Sequence, residues 1–266
     1  MQWGDMKYLN KFDCKNCVGK VYKTNNSGDI EVLSYTNSKN VEIKFLKSGN
    51  ITTVYSSNIV NGTIKDVYSP TLYGVGILGT KYPSKVNSIL TKEYTLWCSM
   101  LKRCYSDVCK KKQPTYEGCE VSNNFKSYEY FYEWCQNQIW FGVDGNENPF
   151  QLDKDVLVKG NKLYSEDTCV FLPREVNSTL TKNDKSRGEH LIGVSWHKTT
   201  NKFTSQVKVG LKNQKHLGYF ATEIEAFSAY KQAKENYLKE VAEKWKDKID
   251  PRAYHALINY QVEITD

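Results

Sequence analysis

Residues 193–233 read GVSWHKTTNKFTSQVKVGLKNQKHLGYFATEIEAFSAYKQA. Three runs within this stretch, GVSWHK (193–198), KFTSQVKV (202–209) and KHLGYF (215–220), alternate apolar and polar side chains, the period of a strand with one buried face. The residues between them, TTN (199–201) and GLKNQ (210–214), are turn-like, and their short spacing predicts an antiparallel meander. A helix is expected from about Glu223 to Trp245. Thr222 and Glu225 have the spacing of a capping box, and Ala226, Ala229, Tyr230, Ala233, Tyr237 and Val241 recur as one apolar stripe. The alternation sends Val194, Trp196, Phe203, Val207, Leu217 and Tyr219 to one face. They must pack on the helix stripe, because a lone sheet cannot hide them, so Trp196 and Phe203 are expected to be buried there. Ser195, His197, Thr204, Gln206, Lys208, Gln214 and His216 point the other way.

That second face is polar and net positive. The chain of 266 residues carries 37 basic and 30 acidic side chains, but residues 182–222 hold eight basic and only two acidic ones. A concentrated positive segment is the footprint of a phosphate-backbone binder. The face offers amide and imidazole groups suited to base edges and ammonium groups suited to phosphates. By pattern alone a solvent-washed outer face is an equal reading.

With 39% hydrophobic and 13% aromatic residues the chain has enough apolar surface for packed cores, which excludes disorder by composition. Its length suits one to three domains. No apolar run approaches the roughly 18 residues of a membrane span, and the first twenty residues lack an apolar signal core. A soluble, cytoplasmic protein with no membrane partner is therefore expected. Eight cysteines in that setting are expected to be reduced thiols. Cys14 and Cys17 have zinc-knuckle spacing but supply two of four ligands. Cys104, Cys119 and Cys169 fall in the central motifs and more often pack as small apolar groups. No cofactor is expected, with magnesium or zinc as the metals open to the chain.

The fold class read from these patterns is α+β. Residues 18–66 show short alternating runs, IEVLSY and VEIKF, between turns at 25–29, 36–40 and 47–50. Four or five such strands predict a small closed barrel or a curled sheet. Residues 69–85 are rich in Gly and Pro and read as a linker. Tyr94, Trp97, Leu101 and Cys104 mark one face of a helix over 92–104. Phe125, Tyr128, Phe131 and Trp134 mark another over roughly 123–139, broken by the residues at 143–149. Two extended elements joined by a turn at Gly160–Asn161 follow. The domains expected are a β-rich barrel-like domain at 1–80, a central domain at 81–181, the sheet-and-helix domain at 182–250 and a tail at 251–266.

Residues 191–233 resemble the APETALA-type (ethylene-response-factor) DNA-binding domain, in the form found in phage and homing-endonuclease proteins. The resemblance is carried by Gly193-Val194, Lys202-Phe203, Leu217-Gly218-x-Phe220 and the run from Thr222 through Glu225, Ala226, Ala229, Tyr230 and Ala233. It implies that the outer sheet face enters the major groove of double-stranded DNA. Carried over, the contact residues are Ser195, His197, Lys198, Gln206, Lys208, Gln214 and His216. The plant members place mostly Arg and Trp there, so base preference does not transfer. His197 and His216 are better placed as neutral hydrogen-bonding groups than as metal ligands.

The centre resembles phage-borne relatives of HNH endonucleases, through YTLWCSMLKRCY (94–105), YEGCEV (116–121), FKSYEYFYEWC (125–135), LDKD (152–155) and YSEDTCVFLPREVN (164–177). The resemblance implies a histidine that activates water and a metal held against the scissile phosphate. Lys154 stands where that histidine belongs, and no histidine precedes His190. A protonated lysine takes no proton at neutral pH. No residue is therefore assigned a catalytic role and none a metal-binding one, although Asp153, Asp155 and Asn161 could together hold a cation. Lys154 is expected instead to meet a DNA phosphate. The first domain resembles N-terminal modules of similar phage proteins. The function expected is non-catalytic duplex DNA binding by a modular, phage-encoded protein. The alternatives are an HNH-family homing or nicking endonuclease, and a phage protein whose barrel captures a host protein.

Overall fold

A computed structural model describes residues 10–138, 141, 148–180, 189–210 and 213–266. The turn expected over 210–214, the helix break over 143–149 and the start of the basic segment at 182–188 fall wholly or partly outside them. The chain is mixed α/β, with a three-stranded antiparallel sheet beside a long C-terminal helix. It divides into two compact units: Met1–Thr115 with Asn123–Tyr132, and Tyr116–Ser122 with Glu133–Asp266. Among the described residues no helix is long and apolar enough to cross a membrane.

In the first unit, strands β1 (Val21–Lys23), β2 (Asp29–Asn37), β3 (Asn40–Phe45) and β4 (Ile51–Val54) form an antiparallel meander in that order, followed by the short helix α1 (Ser56–Val60). Of the two forms expected, the described residues make the open, curled sheet and not a closed barrel. β1 and β4 have three and four residues and each is paired on one side, so the sheet stays open. Its buried face gathers Tyr22, Ile30, Val32, Val41, Ile43, Phe45 and Ile59. Asp66 is buried beside it and accepts hydrogen bonds from Ser69 Oγ (2.8 Å), Tyr68 N (3.0 Å) and Asn50 Nδ2 (3.2 Å). Burial alone would raise the Asp66 carboxyl, but the hydrogen bonds, Ser48 first among them, hold it below the usual carboxylate range.

The segment read as a linker is packed. A Cβ on Gly76 would lie 2.6 Å from Leu101 and 2.9 Å from Trp97, and Ile77 bridges to Ser127. At its end β5 (Lys85–Val86) and β6 (Ile89–Leu90) form a hairpin. Helix α2 (Lys92–Tyr105) then starts at the cap Thr91, whose side chain accepts from Tyr94 N, and α3 (Asp107–Lys112) follows. Trp97 and Leu101 are buried, as their spacing predicts, and Trp97 Nε1 donates to Phe125 O at 2.8 Å.

The second unit opens with β7 (Glu120–Val121), which pairs parallel with β9 (Leu163–Tyr164). Helix α4 (Tyr128–Gln136), which runs from the first unit's Asn123–Tyr132 segment into the second unit, begins later than read, because residues 123–126 are taken up in turns. β8 (Gln151–Asp153) pairs antiparallel with β10 (Val170–Leu172), and α5 (Arg174–Leu180) follows. Then come β11 (Val194–His197), β12 (Lys202–Val209) and β13 (Asn213–Phe220) in a meander, and helix α6 (Glu223–Trp245) with both halves of the Thr222–Glu225 capping box formed. The residues read as a tail hold α7 (Pro251–Ile258), capped by Asp250. Ala253 and Leu257 of α7 share a core with Val156, Val170, Leu172, Val176, Leu238 and Val241. A second core under the sheet joins Val207, Phe227, Tyr230 and Val262. The last sixteen residues were too short and mixed to show an amphipathic pattern, and only this packing reveals their role.

Two outcomes are expected. Asp66 has a lowered folded pKa, so its contribution to stability is present above the unfolded value near 3.9 and is lost as pH falls through the folded one. Asp66→Asn should therefore flatten the acid limb of the stability curve measured by denaturant titration. Gly193 sits at φ +76° with Tyr230 Cδ2 2.0 Å from any added Cβ. Gly193→Ala should cost about 2–4 kcal/mol, combining backbone strain with the displaced ring.

Candidate nucleic-acid interface

The register of the three strands fixes which side chains share a face, because directly opposed residues point the same way. β12 is paired Ser195↔Thr204 and His197↔Lys202 on one side and Thr204↔Tyr219, Gln206↔His216 and Lys208↔Gln214 on the other. Ser195, His197, Gln206, Lys208, Gln214 and His216 therefore lie on one face, as the alternation predicts. His197 is half-buried and the other five are exposed. Lys198 is exposed in the turn that follows β11.

Tyr219 departs from the expected pattern. The ladder runs Ser205↔Gly218 and then Gln206↔His216, which leaves Leu217 without a partner. This β-bulge reverses the alternation of the residues after it. Tyr219 moves to the outer face, where it is 46% exposed, and Phe220 moves to the helix side opposite Phe203. The signal was present in the sequence as a glycine inside a strand, Gly218, which adopts φ +137°.

The displaced tyrosine organises the face. Its ring centroid lies 5.0 Å from that of His197 and 4.9 Å from that of His216. Thr204, only 5% exposed beneath this group, has its Oγ1 2.9 Å from His216 Nε2. His197 Nδ1 lies 2.9 Å from Thr200 Oγ1 and 3.4 Å from Thr200 N, which fixes the ring against the turn after β11. The outer face thus presents a His–Tyr–His row, with Gln206, Lys208 and Gln214 beyond His216. Lys202 extends it beside His197, a position the sequence reading passed over.

The electrostatics favour an anion. Of the basic segment, Lys198, Lys202, Lys208 and Lys215 lie among the described residues and all four are exposed, Lys215 on the opposite face of the sheet, paired with Val207. Lys182, Lys185, Arg187 and Lys212 lie outside them. Burial, and then the charge of Lys208, lower Lys234 of α6 to about 8. An anion at Lys208 would relieve that repulsion.

Trp196 and Phe203 keep the predicted face, opposed to each other on the helix side with ring centroids 4.9 Å apart. The predicted burial is only partly realised: Phe203 is half-buried and Trp196 is 40% exposed. Helix α6 lies mainly over β12, and β11 is an edge strand with less cover.

The central candidates are engaged elsewhere. Lys154 is 5% exposed, and its ammonium donates to Asp155 Oδ1 and to Asn161 O at 2.7 Å. Asn161 Nδ2 donates back to Lys154 O at 2.8 Å, and the ammonium lies 5.7 Å from the Tyr164 ring centre. The expected phosphate contact is therefore not available to Lys154. Asp153 Oδ1 accepts from the backbone N–H groups of Asp155 and Val156, both at 2.8 Å, closing a turn. Burial raises its carboxyl above the usual range despite those bonds. All eight cysteines are free thiols, with Cys169 pushed up to about 12 by burial. Among the described residues no three His, Cys, Asp or Glu side chains converge as a metal site.

Removing the Lys154 ammonium would leave the Asn161 carbonyl unpaired in a buried place. Lys154→Ala should cost about 1–3 kcal/mol of stability, as measured by denaturant titration. Comparison of the chain with protein-family models, with curated proteins and with solved structures finds no match.

Proposed function

We propose that the chain binds double-stranded DNA by laying the outer face of β11–β13 in the major groove, without nuclease chemistry. The observation that carries this reading is the register. It aligns Ser195, Gln206, Gln214 and His216 with Lys202 and Lys208 on one uncovered face, so base-reading and phosphate-pairing groups stand side by side. A two-stranded ribbon or a strand pair fits a groove about 12 Å wide. The resemblance to APETALA-type domains of phage proteins supports the same use, and Tyr219 joins the contact set.

The central fold supports a scaffold role. An antiparallel strand pair followed by a helix, β8–β10–α5, suits the HNH resemblance. Lys154, which stands where that resemblance would put the base, is a buried cation bonded to the neighbouring Asp155 and Asn161. The reading is thus of an HNH-like scaffold that positions the DNA-reading sheet.

Duplex titration with the full chain over a range of salt tests this. If three to five phosphates are neutralised, log affinity should fall with log salt at a slope of about −3 to −5. Gln206→Ala and His216→Ala should each relax base preference by roughly 1–3 kcal/mol, while Lys208→Ala weakens all sequences alike. A salt-independent signal, or equal losses on selected and random duplexes for all three, would reject the groove reading. Nicking of plasmid with magnesium, abolished by Asp153→Ala, would establish an endonuclease instead.

A further inference from the structure

Val86, Ile89 and Leu90 are 53%, 73% and 46% exposed, an apolar group that no core claims. They belong to the β5–β6 hairpin of the first unit, paired Lys85↔Leu90 and Val86↔Ile89. Its two-residue turn places Asn87 at φ +49° and Ser88 at φ +66°, the type I′ geometry that suits the twist of a hairpin. A serine in the left-handed region is strained, and an isolated two-stranded hairpin is marginal in water. All six residues from 85 to 90 are exposed, so the hairpin gains nothing by burying its own side chains.

Its base holds it. Thr91 N donates to Ser84 O at 3.0 Å, Tyr128 Oη donates to Pro83 O at 3.0 Å, and the Tyr82 ring stacks on Tyr132 at 4.0 Å and 12°. Thr80 N and Lys81 N both donate to Glu129 Oε1, at 2.7 and 2.8 Å. The result is an anchored arm with a paired Val86–Ile89 face at its tip. The paired Val86 and Ile89 offer an apolar contact at that tip.

Charge identifies the partner. Residues 67–92 contain Lys81, Lys85 and Lys92 and no acidic side chain, and residues 67–115 hold eight basic and two acidic ones, the same balance as residues 182–222. A narrow apolar tip with an amide beside it, set among lysines, matches the wedges that enter the minor groove and unstack a base step. We propose that the β5–β6 hairpin is a second duplex contact, with Val86 and Ile89 as the wedge and Lys85 on a flanking phosphate, and that it kinks the DNA. The inference rests on reading the chain as a duplex binder.

The test uses the full chain and a duplex of about 30 base pairs carrying a fluorophore at each end, since smooth bending of so short a site is costly. The wild-type chain should shorten the end-to-end distance. The double variant Val86→Ser/Ile89→Ser changes only exposed side chains, and an unchanged thermal melt confirms its fold. It should abolish the bend and lower affinity roughly ten-fold, leaving the base preference set by Gln206 intact. Lys85→Ala should reduce the salt slope by about one. Wild-type binding with unchanged bend and affinity in the double variant would overturn the wedge and leave the sheet reading standing. No duplex binding by the wild-type chain would overturn both. A double variant that bends DNA normally but loses self-association in sedimentation, or loses binding to anionic vesicles, would overturn the wedge in favour of a second copy or a membrane surface.

Discussion

A three-stranded sheet has two faces, and in this chain one helix covers one of them. Helix α6 is the element on which the second unit depends, because it serves two cores in succession. Its first half places Phe227 and Tyr230 under the sheet, and its second half places Leu238, Val241 and Ala242 among Val156, Val170, Leu172 and Leu257. A helix of 23 residues spans roughly 35 Å at 1.5 Å per residue. It therefore couples the sheet to the core around Val156 and Leu257, while on the opposite sheet face Ser195, Gln206, Lys208, Gln214 and His216 are exposed. The C-terminal segment completes the arrangement. Val262 enters the core under the sheet, and its backbone is held by Lys231 Nζ at 2.6 Å and by Glu235 Oε1 at 2.9 Å.

The uncovered face owes its chemistry to one unpaired residue. Without the bulge at Leu217, Tyr219 would lie under the helix and the outer face would be a plain polar surface. With it, an aromatic ring stands between two imidazoles and covers Thr204, so part of the face is ordered by its own contacts. A face whose side chains already hold one another loses less freedom when a ligand arrives.

In the centre, Lys154 shows how a charged group can serve a fold. It would be costly if unpaired, and it is tolerated because Asp155, the Asn161 carbonyl and the face of Tyr164 surround its ammonium. The reciprocal bond from Asn161 back to Lys154 O ties the end of β8 to the turn at Gly160. The loop from Asp153 to Asn161 is closed by its own side chains.

Much of this was legible in sequence. The strands, the capping box and the apolar stripes of α2 and α6 follow from periodicity, since side chains on a strand or helix repeat at two or 3.6 residues whatever they pack against. The six outer-face residues were placed correctly for the same reason. Periodicity fails where the backbone departs from regularity or where a contact is made across distant sequence. The bulge at Leu217 moved Tyr219 and Phe220, the edge position of β11 left Trp196 exposed, and the burial of Lys154 reversed its expected use. The packing of residues 66–91 and of α7 likewise rests on partners far along the chain, such as Trp97 for Gly76 and Val156 for Leu257. The sequence by itself determined the elements and the chemical character of their faces, because those are set by local repeats. The tertiary structure decided which side chains stay available to a partner, because availability depends on what the rest of the chain covers.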